Sequence, residues 1–234
     1  MHTRIIIGLA VLTFQLSAQV ATVNTVSGAW QNALTTGTAT IANGYPLSTA
    51  RWGGPVNNGP QSGYDFNVSP LPPYAAVDDL WFQVGTFSHL NFPVFPPSIT
   101  GIQLKLGMNF TPTNGVAQSQ DFIYSFKHDE TPNAGLPVNC PYQPSNPSCA
   151  DKVTITGQPA QTIFNIGNVQ YTLALAFGSA PNATFTEFIT QEGVINNANI
   201  YAKFTTDVVP EPGFYGVLAV GVSGLFFAVR RRKQ

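Results

Sequence analysis

The apolar residues of this chain recur at every second position, in short runs broken by Gly, Pro and Asn. In the segment 99–109, Ile102, Leu104, Leu106 and Met108 alternate with Gln103, Lys105 and Gly107. A period of two sends successive side chains to opposite faces of a strand, so the first set is expected in a core and the second in water. The segments 81–87, 121–126, 153–156, 171–177 and 199–205 read as further strands. Phe122, Tyr124 and Phe126 share one face of theirs, which suits a core better than a sugar platform. Turn chemistry separates the runs, at Pro93 with Pro96-Pro97, Pro112-Thr113-Asn114-Gly115, Pro132-Asn133-Ala134-Gly135 and Pro181-Asn182. No sustained 3.6-residue period occurs in this part of the chain. One helical turn is expected near Thr186 to Glu192, and Gly44 to Pro73 reads as a long loop with a short strand near Arg51-Trp52-Gly53. The pattern predicts an all-β domain over residues 19–207, an antiparallel β-sandwich of jelly-roll-like kind.

Charge is scarce, with 9% Asp, Glu, Lys and Arg over 234 residues. Within 19–207 there are five basic and ten acidic residues, a net charge near −5. Nucleic-acid binding needs clustered Lys and Arg, so that class of partner is excluded. Aromatic and β-branched residues are plentiful, which excludes a disordered chain. Solubility must rest on Asn, Gln, Ser and Thr, a neutral, amide-rich surface suited to polysaccharide surroundings. Cys140 and Cys149 are the two cysteines. In an exported chain they predict a disulfide stapling a Pro-rich loop of about ten residues, worth roughly 2–3 kcal/mol.

The ends read as addresses. Met1-His2-Thr3-Arg4, the apolar run 5–16 and the small residue Ala18 form a secretory signal peptide over 1–18, cut after Ala18. At the other end come Pro210-Glu211-Pro212, a nearly uncharged run from Phe214 to Val229, and Arg230-Arg231-Arg232-Lys233. The run of about 16 residues is at the lower limit for a membrane-spanning helix, and the cations hold its cytoplasmic side. This order, over 208–234, resembles the PEP-CTERM sorting signal of Gram-negative surface proteins. The resemblance implies a precursor held transiently in the inner membrane through 214–229. It also implies recognition by an exosortase, a membrane-embedded Cys peptidase cutting near Pro210–Pro212, and delivery to the cell surface or the extracellular matrix of a biofilm.

Within the domain, Ser88-His89-Leu90-Asn91 is similar to the T-H-x-N signature of a group of PEP-CTERM proteins related to the choice-of-anchor type K domain, with Ser88 in place of Thr. Asp78-Asp79-Leu80-Trp81-Phe82 and the segment 126–133 also look like that family, which implies a β-sandwich and carries no assigned molecular function. Ser88 and His89, adjacent on a strand, face opposite ways and are not expected to form a nucleophile–base pair unless the turn bends them together; His89 and Asn91 are expected to bond backbone groups and fix the turn into Pro93. Asp129, Glu130 and Asn133 are candidate oxygen ligands for Ca²⁺, and the same residues also read as a polar hairpin. His89 and His128, the two histidines of the domain, are candidates to meet across a sheet and form a metal site with Asp129 or Glu130. For sugar binding the candidate rings are Trp52, Tyr64 and Tyr74, with Tyr45 and Tyr142, and the alternative is packing against the sandwich. No nucleophile elbow or zinc-protease motif occurs. The expectation is a non-enzymatic surface or matrix protein that contacts exopolysaccharide or other matrix proteins, requiring no cofactor. The alternative is a secreted carbohydrate-active enzyme or a Ca²⁺-dependent sugar-binding module.

Overall fold

Period-two patterning becomes two curled antiparallel sheets. A computed structural model describes residues 18–133, 139–143 and 148–208. Residues 1–17 of the expected signal peptide, and Pro210, Glu211, Pro212 and Arg230 to Lys233 of the sorting segment, lie outside the described residues. In chain order the strands are β1 (Gln19–Thr35), β2 (Thr40–Ala42), β3 (Leu47–Trp52), β4 (Gly54–Pro55), β5 (Ser62–Val68), β6 (Tyr74–Val77), β7 (Trp81–Asn91) and β8 (Val94–Phe95). They continue with β9 (Ile99–Pro112), β10 (Gln118–Asp129), β11 (Asp151–Gly157), β12 (Thr162–Ile166), β13 (Val169–Ala180), β14 (Ala183–Thr184), β15 (Glu187–Thr190) and β16 (Val194–Val208). One sheet runs β15-β11-β10-β9-β1-β6 and the other β12-β13-β16-β7-β5-β3-β2. No α-helix, and so no helix able to cross a membrane, occurs among the described residues.

The inward faces of both sheets meet in one core that includes Trp30, Phe66, Phe87, Leu104, Phe126 and Phe204. Ile102, Leu104, Leu106 and Met108 are buried on β9, and Phe122, Tyr124 and Phe126 on β10, as the alternation requires. Three segments depart from the sequence reading. The long loop expected over 44–73, with a short strand near Arg51 to Gly53, instead contains the longer β3 that takes in Arg51 and Trp52, and β5, which pair with each other and insert Trp52, Tyr64 and Phe66 into the core. The helical turn expected near 186–192 is instead β15, because pairing with β11 on the sheet edge satisfies its backbone. The longest strand, β1, has no clean alternation. A bulge between Val23 and Thr25 shifts its parity, so Ala21 and Val23 face inward before it and Val26, Gly28 and Trp30 after it.

The outward faces are held by side-chain amides and hydroxyls bridging neighbouring strands. Asn24 donates to Asn109 and Thr111 across β1–β9, and Asn109 donates in turn to Ser119 on β10. Gln31 and Asn32 donate to Gln103, which donates to Ser125. On the other sheet, Thr86 bonds Asn199 and Ser88 bonds Asn197. These cross-strand pairs do on a nearly uncharged surface what ion pairs do elsewhere.

Two glycines accommodate one ring. A Cβ on Gly28 would lie 2.1 Å from Phe66 Cδ1, and a Cβ on Gly85 2.4 Å from Phe66 Cζ. Phe66 therefore fills the space that both residues vacate, one from each sheet. Gly28→Ala is expected to destabilise the domain by about 1–3 kcal/mol through overpacking, seen as a lower urea midpoint with an unchanged slope. An unchanged midpoint would mean that the sheets slide apart without cost at this layer.

Candidate functional site

At one end of the core the apolar layer gives way to a sealed polar cluster. Three strands build it by continuing their alternation one step too far for hydrophobic residues. On β7 a bulge near Val84–Gly85 resets parity, so Phe87, His89 and Asn91 face inward while Ser88 faces out. On β10 the buried series Phe122, Tyr124, Phe126 ends in His128, and on β11 Asp151 and Val153 face the same way. His89 and His128 come from opposite sheets, with ring centroids 5.1 Å apart and planes at 88°. A ligating-type atom from each of His89, His128 and Asp151 lies within 4.8 Å of the others. His89 and Asp151 are 0% exposed and His128 is 3% exposed. Trp52 and Tyr64 wall the cluster, Trp52 stacking on His89 at 6.0 Å and meeting His128 edge-on at 5.2 Å.

Hydrogen bonds orient both imidazoles. The Thr190 hydroxyl donates to the Asp151 carbonyl at 3.3 Å, so its oxygen accepts from His89 Nδ1–H at 2.8 Å. His89 Nε2 is thereby left as a bare lone pair with no partner. The Asn91 amide donates to the Thr190 carbonyl at 3.0 Å and holds β15 against β7. Burial, then the Asp151 and Glu130 charges, raise the Tyr64 phenol well above its ordinary value. Tyr64 therefore stays protonated, and its hydroxyl shares a hydrogen bond with His128 Nδ1 at 2.6 Å. His128 Nε2 then faces Glu130 Oε2 at 3.2 Å and Asp151 Oδ2 at 3.9 Å. Asp151 Oδ1 accepts from the Thr131 amide at 2.8 Å and the Thr131 hydroxyl at 3.1 Å.

Asp151 Oδ2, Glu130 Oε1 and both carboxylate oxygens of Glu192 have no hydrogen-bond partner and are shut away from solvent. Their electrostatics follow. Burial, then Glu130, push Asp151 up to about 7, and burial, then Glu130, push Glu192 up to about 7. The Gly193 amide pulls Glu192 the other way but is committed to the Asn91 carbonyl at 2.7 Å. Burial, then His128, hold His89 well below its ordinary value. The groups able to take a metal are therefore His89 through Nε2, His128, Asp151 through Oδ2, and Glu130 and Glu192 at the margin.

Of the residues named from sequence, His89 and His128 do meet, across the gap between the sheets. Glu130 joins them, while the third close member is Asp151 rather than Asp129. Asp129 lies on the opposite side of β10 from His128 and takes the Tyr142 hydroxyl, and Asn133 donates to the Val94 carbonyl at 3.3 Å. Asp129, Glu130 and Asn133 are thus each engaged in a different direction. Asn91 bonds a backbone carbonyl as expected, but that of Thr190 instead of one at the Pro93 turn; His89 bonds a side chain. Trp52 and Tyr64, named as sugar-stacking rings, are 0% exposed and belong to the core, because β3 and β5 carry them inward. Tyr74 is half-buried against Phe82. Tyr45 remains exposed. Cys140 and Cys149 are joined. At the far end of β10 from His128, Gln19, Asn114, Asn168 and Tyr171 line a cleft of about 460 Å³. Asp151, Thr190 and Glu192 were not singled out from sequence; the alternation of Asp151 with Val153 was the available signal. No protein-family model matches the chain, and no curated protein matches it.

A buried carboxyl raised in the folded state keeps a proton that the unfolded chain has lost. Its contribution to stability is full below about pH 4 and is lost as pH climbs towards 7. His89, held low, acts oppositely, favouring the folded state above about pH 6.5. Two acids outweigh one imidazole. With chelator present, the urea midpoint is expected to fall between about pH 4.5 and pH 7, and Glu192→Gln to flatten that fall. The same slope in Glu192→Gln would show that Glu192 titrates in water.

Proposed function

We propose that this chain is an exported, non-enzymatic component of the bacterial cell surface or extracellular matrix, sorted through a PEP-CTERM-type signal. The observation that carries this reading is the chemistry of the outward faces. Asn, Gln, Ser and Thr ladders cross both sheets. A neutral, strongly hydrogen-bonding surface of this kind suits a protein living among hydrated polysaccharide. The Cys140–Cys149 bond supports an oxidising compartment outside the cytoplasm. The buried His89, His128, Asp151 and Glu192 are sealed, so a polymer chain cannot reach them. That supports an architectural role over catalysis.

In this reading the leader 1–18 directs export and is removed. The segment 214–229 then holds the precursor in the inner membrane while exosortase acts at Pro210–Pro212. The domain is a jelly-roll-like sandwich of the T-H-x-N group, with Ser88, His89 and Asn91 serving its interior on β7. A sugar-binding variant of the same reading rests on the cleft lined by Gln19, Asn114, Asn168 and Tyr171, whose amides and ring match what a neutral sugar needs.

Intact mass of the protein recovered from the outer surface or matrix fraction tests the sorting. The expected species begins near Gln19, ends near Pro210–Pro212 and carries the disulfide. A chain still bearing 214–234 would overturn it. Glu211→Gln, or deletion of Arg230 to Lys233, is expected to leave the domain folded but misrouted; surface delivery of both variants would refute the sorting assignment.

A further inference from the structure

The buried cluster between the sheets has a charge pattern that proteins do not leave unbalanced. Its unpartnered atoms are nearly all acceptors: His89 Nε2, Asp151 Oδ2, Glu130 Oε1 and both Glu192 oxygens, with the Trp52 indole as the one donor beside them. Among the described residues, no Lys or Arg reaches it. Arg51, Lys105, Lys152 and Lys203 are paired with Asp65, Asp121, Glu187 and Asp79, and Lys127 is exposed on the outer face of β10. His89 is also held as a metal-ligating histidine is held, with Nδ1–H donated to a fixed acceptor and Nε2 bare.

We propose that His89, His128 and Asp151 bind a divalent transition ion of the zinc class, with Glu130 or Glu192 completing the shell. Two imidazoles beside carboxylates form a nitrogen-rich set that suits zinc-like ions and disfavours Ca²⁺, which takes six to eight oxygens. Bonds of about 2.0 Å put tetrahedral ligands about 3.3 Å apart, so the three donors, now within 4.8 Å, would close by roughly an ångström or more around the ion. The ligands come from both sheets, β7 on one side and β10 with β11 on the other. The ion is therefore an inter-sheet staple, sealed from solvent as structural sites are. It would satisfy several orphan acceptors at once, which hydrogen bonding within the chain does not do.

The test uses the full oxidised chain, stripped with chelator and titrated with Co²⁺ and Zn²⁺. One ion per chain is expected, with visible d–d absorption from Co²⁺ that Zn²⁺ abolishes. His89→Gln and Asp151→Asn are expected to weaken binding by more than about 100-fold. Thr190→Val, which frees the His89 ring, should weaken it by about 10–100-fold. Asp129→Asn should bind as the parent does. Failure to retain an ion at equimolar Zn²⁺, or equal binding by the parent and His89→Gln, would overturn the proposal. Should the ligand variants fail to fold, the parent chain decides alone. Its urea midpoint should rise with Zn²⁺ and not with Ca²⁺; no rise with Zn²⁺, or an equal rise with Ca²⁺, would refute the assignment.

Discussion

Desolvation of charge at one end of the core is the constraint that organises this domain. His89, Asp151 and Glu192 are all within 2% of complete burial, and among the described residues no Lys or Arg accompanies them. Burying an unpaired carboxylate is expensive enough that such a group either takes a proton or finds a cation. Asp151 and Glu192 lean towards the first solution on their own, since both are raised to about 7. A nearby dication inverts that preference by favouring the ionised forms. Protonation and the proposed ion are therefore two alternative ways to settle the charge of Asp151 and Glu192. Outside it, the core is held by aromatic contacts that are indifferent to charge, such as Phe87 against Phe126 at 5.2 Å.

The backbone around the cluster is tied down from both ends of one connection. The chain leaves β10 through His128, Glu130 and Thr131 and enters β11 at Asp151, two residues after Cys149. Thr131 bonds the Asp151 carboxylate and the Ala150 carbonyl, so the exit of one strand is latched to the entrance of the next. The Cys140–Cys149 bond shortens the free length of that connection. Restricting the loop lowers the entropy lost when Asp151 is set against His128. Stapling a loop in a large sandwich is otherwise a modest gain. Its position beside the polar cluster gives it a second purpose, the fixing of the Asp151 carboxylate against His128.

Much of this was legible in the sequence where alternation was clean. β9 and β10 announce both their existence and their buried faces, since Ile102 to Met108 and Phe122 to Phe126 keep strict parity. β1 does not, because its bulge places Val23 and Val26 on one face at odd spacing and hides a strand of 17 residues. The Gly and Pro around β3 and β5 left only a short strand near Arg51 to Gly53 legible, overlapping the end of β3, and hid β5; Trp52 and Tyr64 consequently looked like candidate sugar-binding rings when they are core. For the site, scarcity was the useful signal: with only two histidines in the domain, their meeting was a finite hypothesis. Their third partner was not legible. Asp129 and Glu130 adjoin His128 in sequence, whereas Asp151 reaches it through β10–β11 pairing that closes across the connection. Local order suggests neighbours along a strand, and only sheet register supplies neighbours across it.

The separation of roles between inside and outside follows from the same scarcity. A chain with so few charges cannot spend carboxylates on both solubility and an interior site. The outer faces accordingly rely on Asn, Gln, Ser and Thr, whose hydrogen bonds survive at any pH and are not screened by salt. Two of the domain's ten acids, Asp151 and Glu192, and both of its histidines are gathered inside instead. Ser88 and His89 make the division visible on adjacent residues. The hydroxyl bonds Asn197 on the hydrated face, and the imidazole enters the sealed cluster 180° away along the pleat. A motif that alternates a hydroxyl, an imidazole, an apolar residue and an amide is thus one strand serving two surfaces, with its chemistry directed inward and its compatibility with the surroundings directed outward.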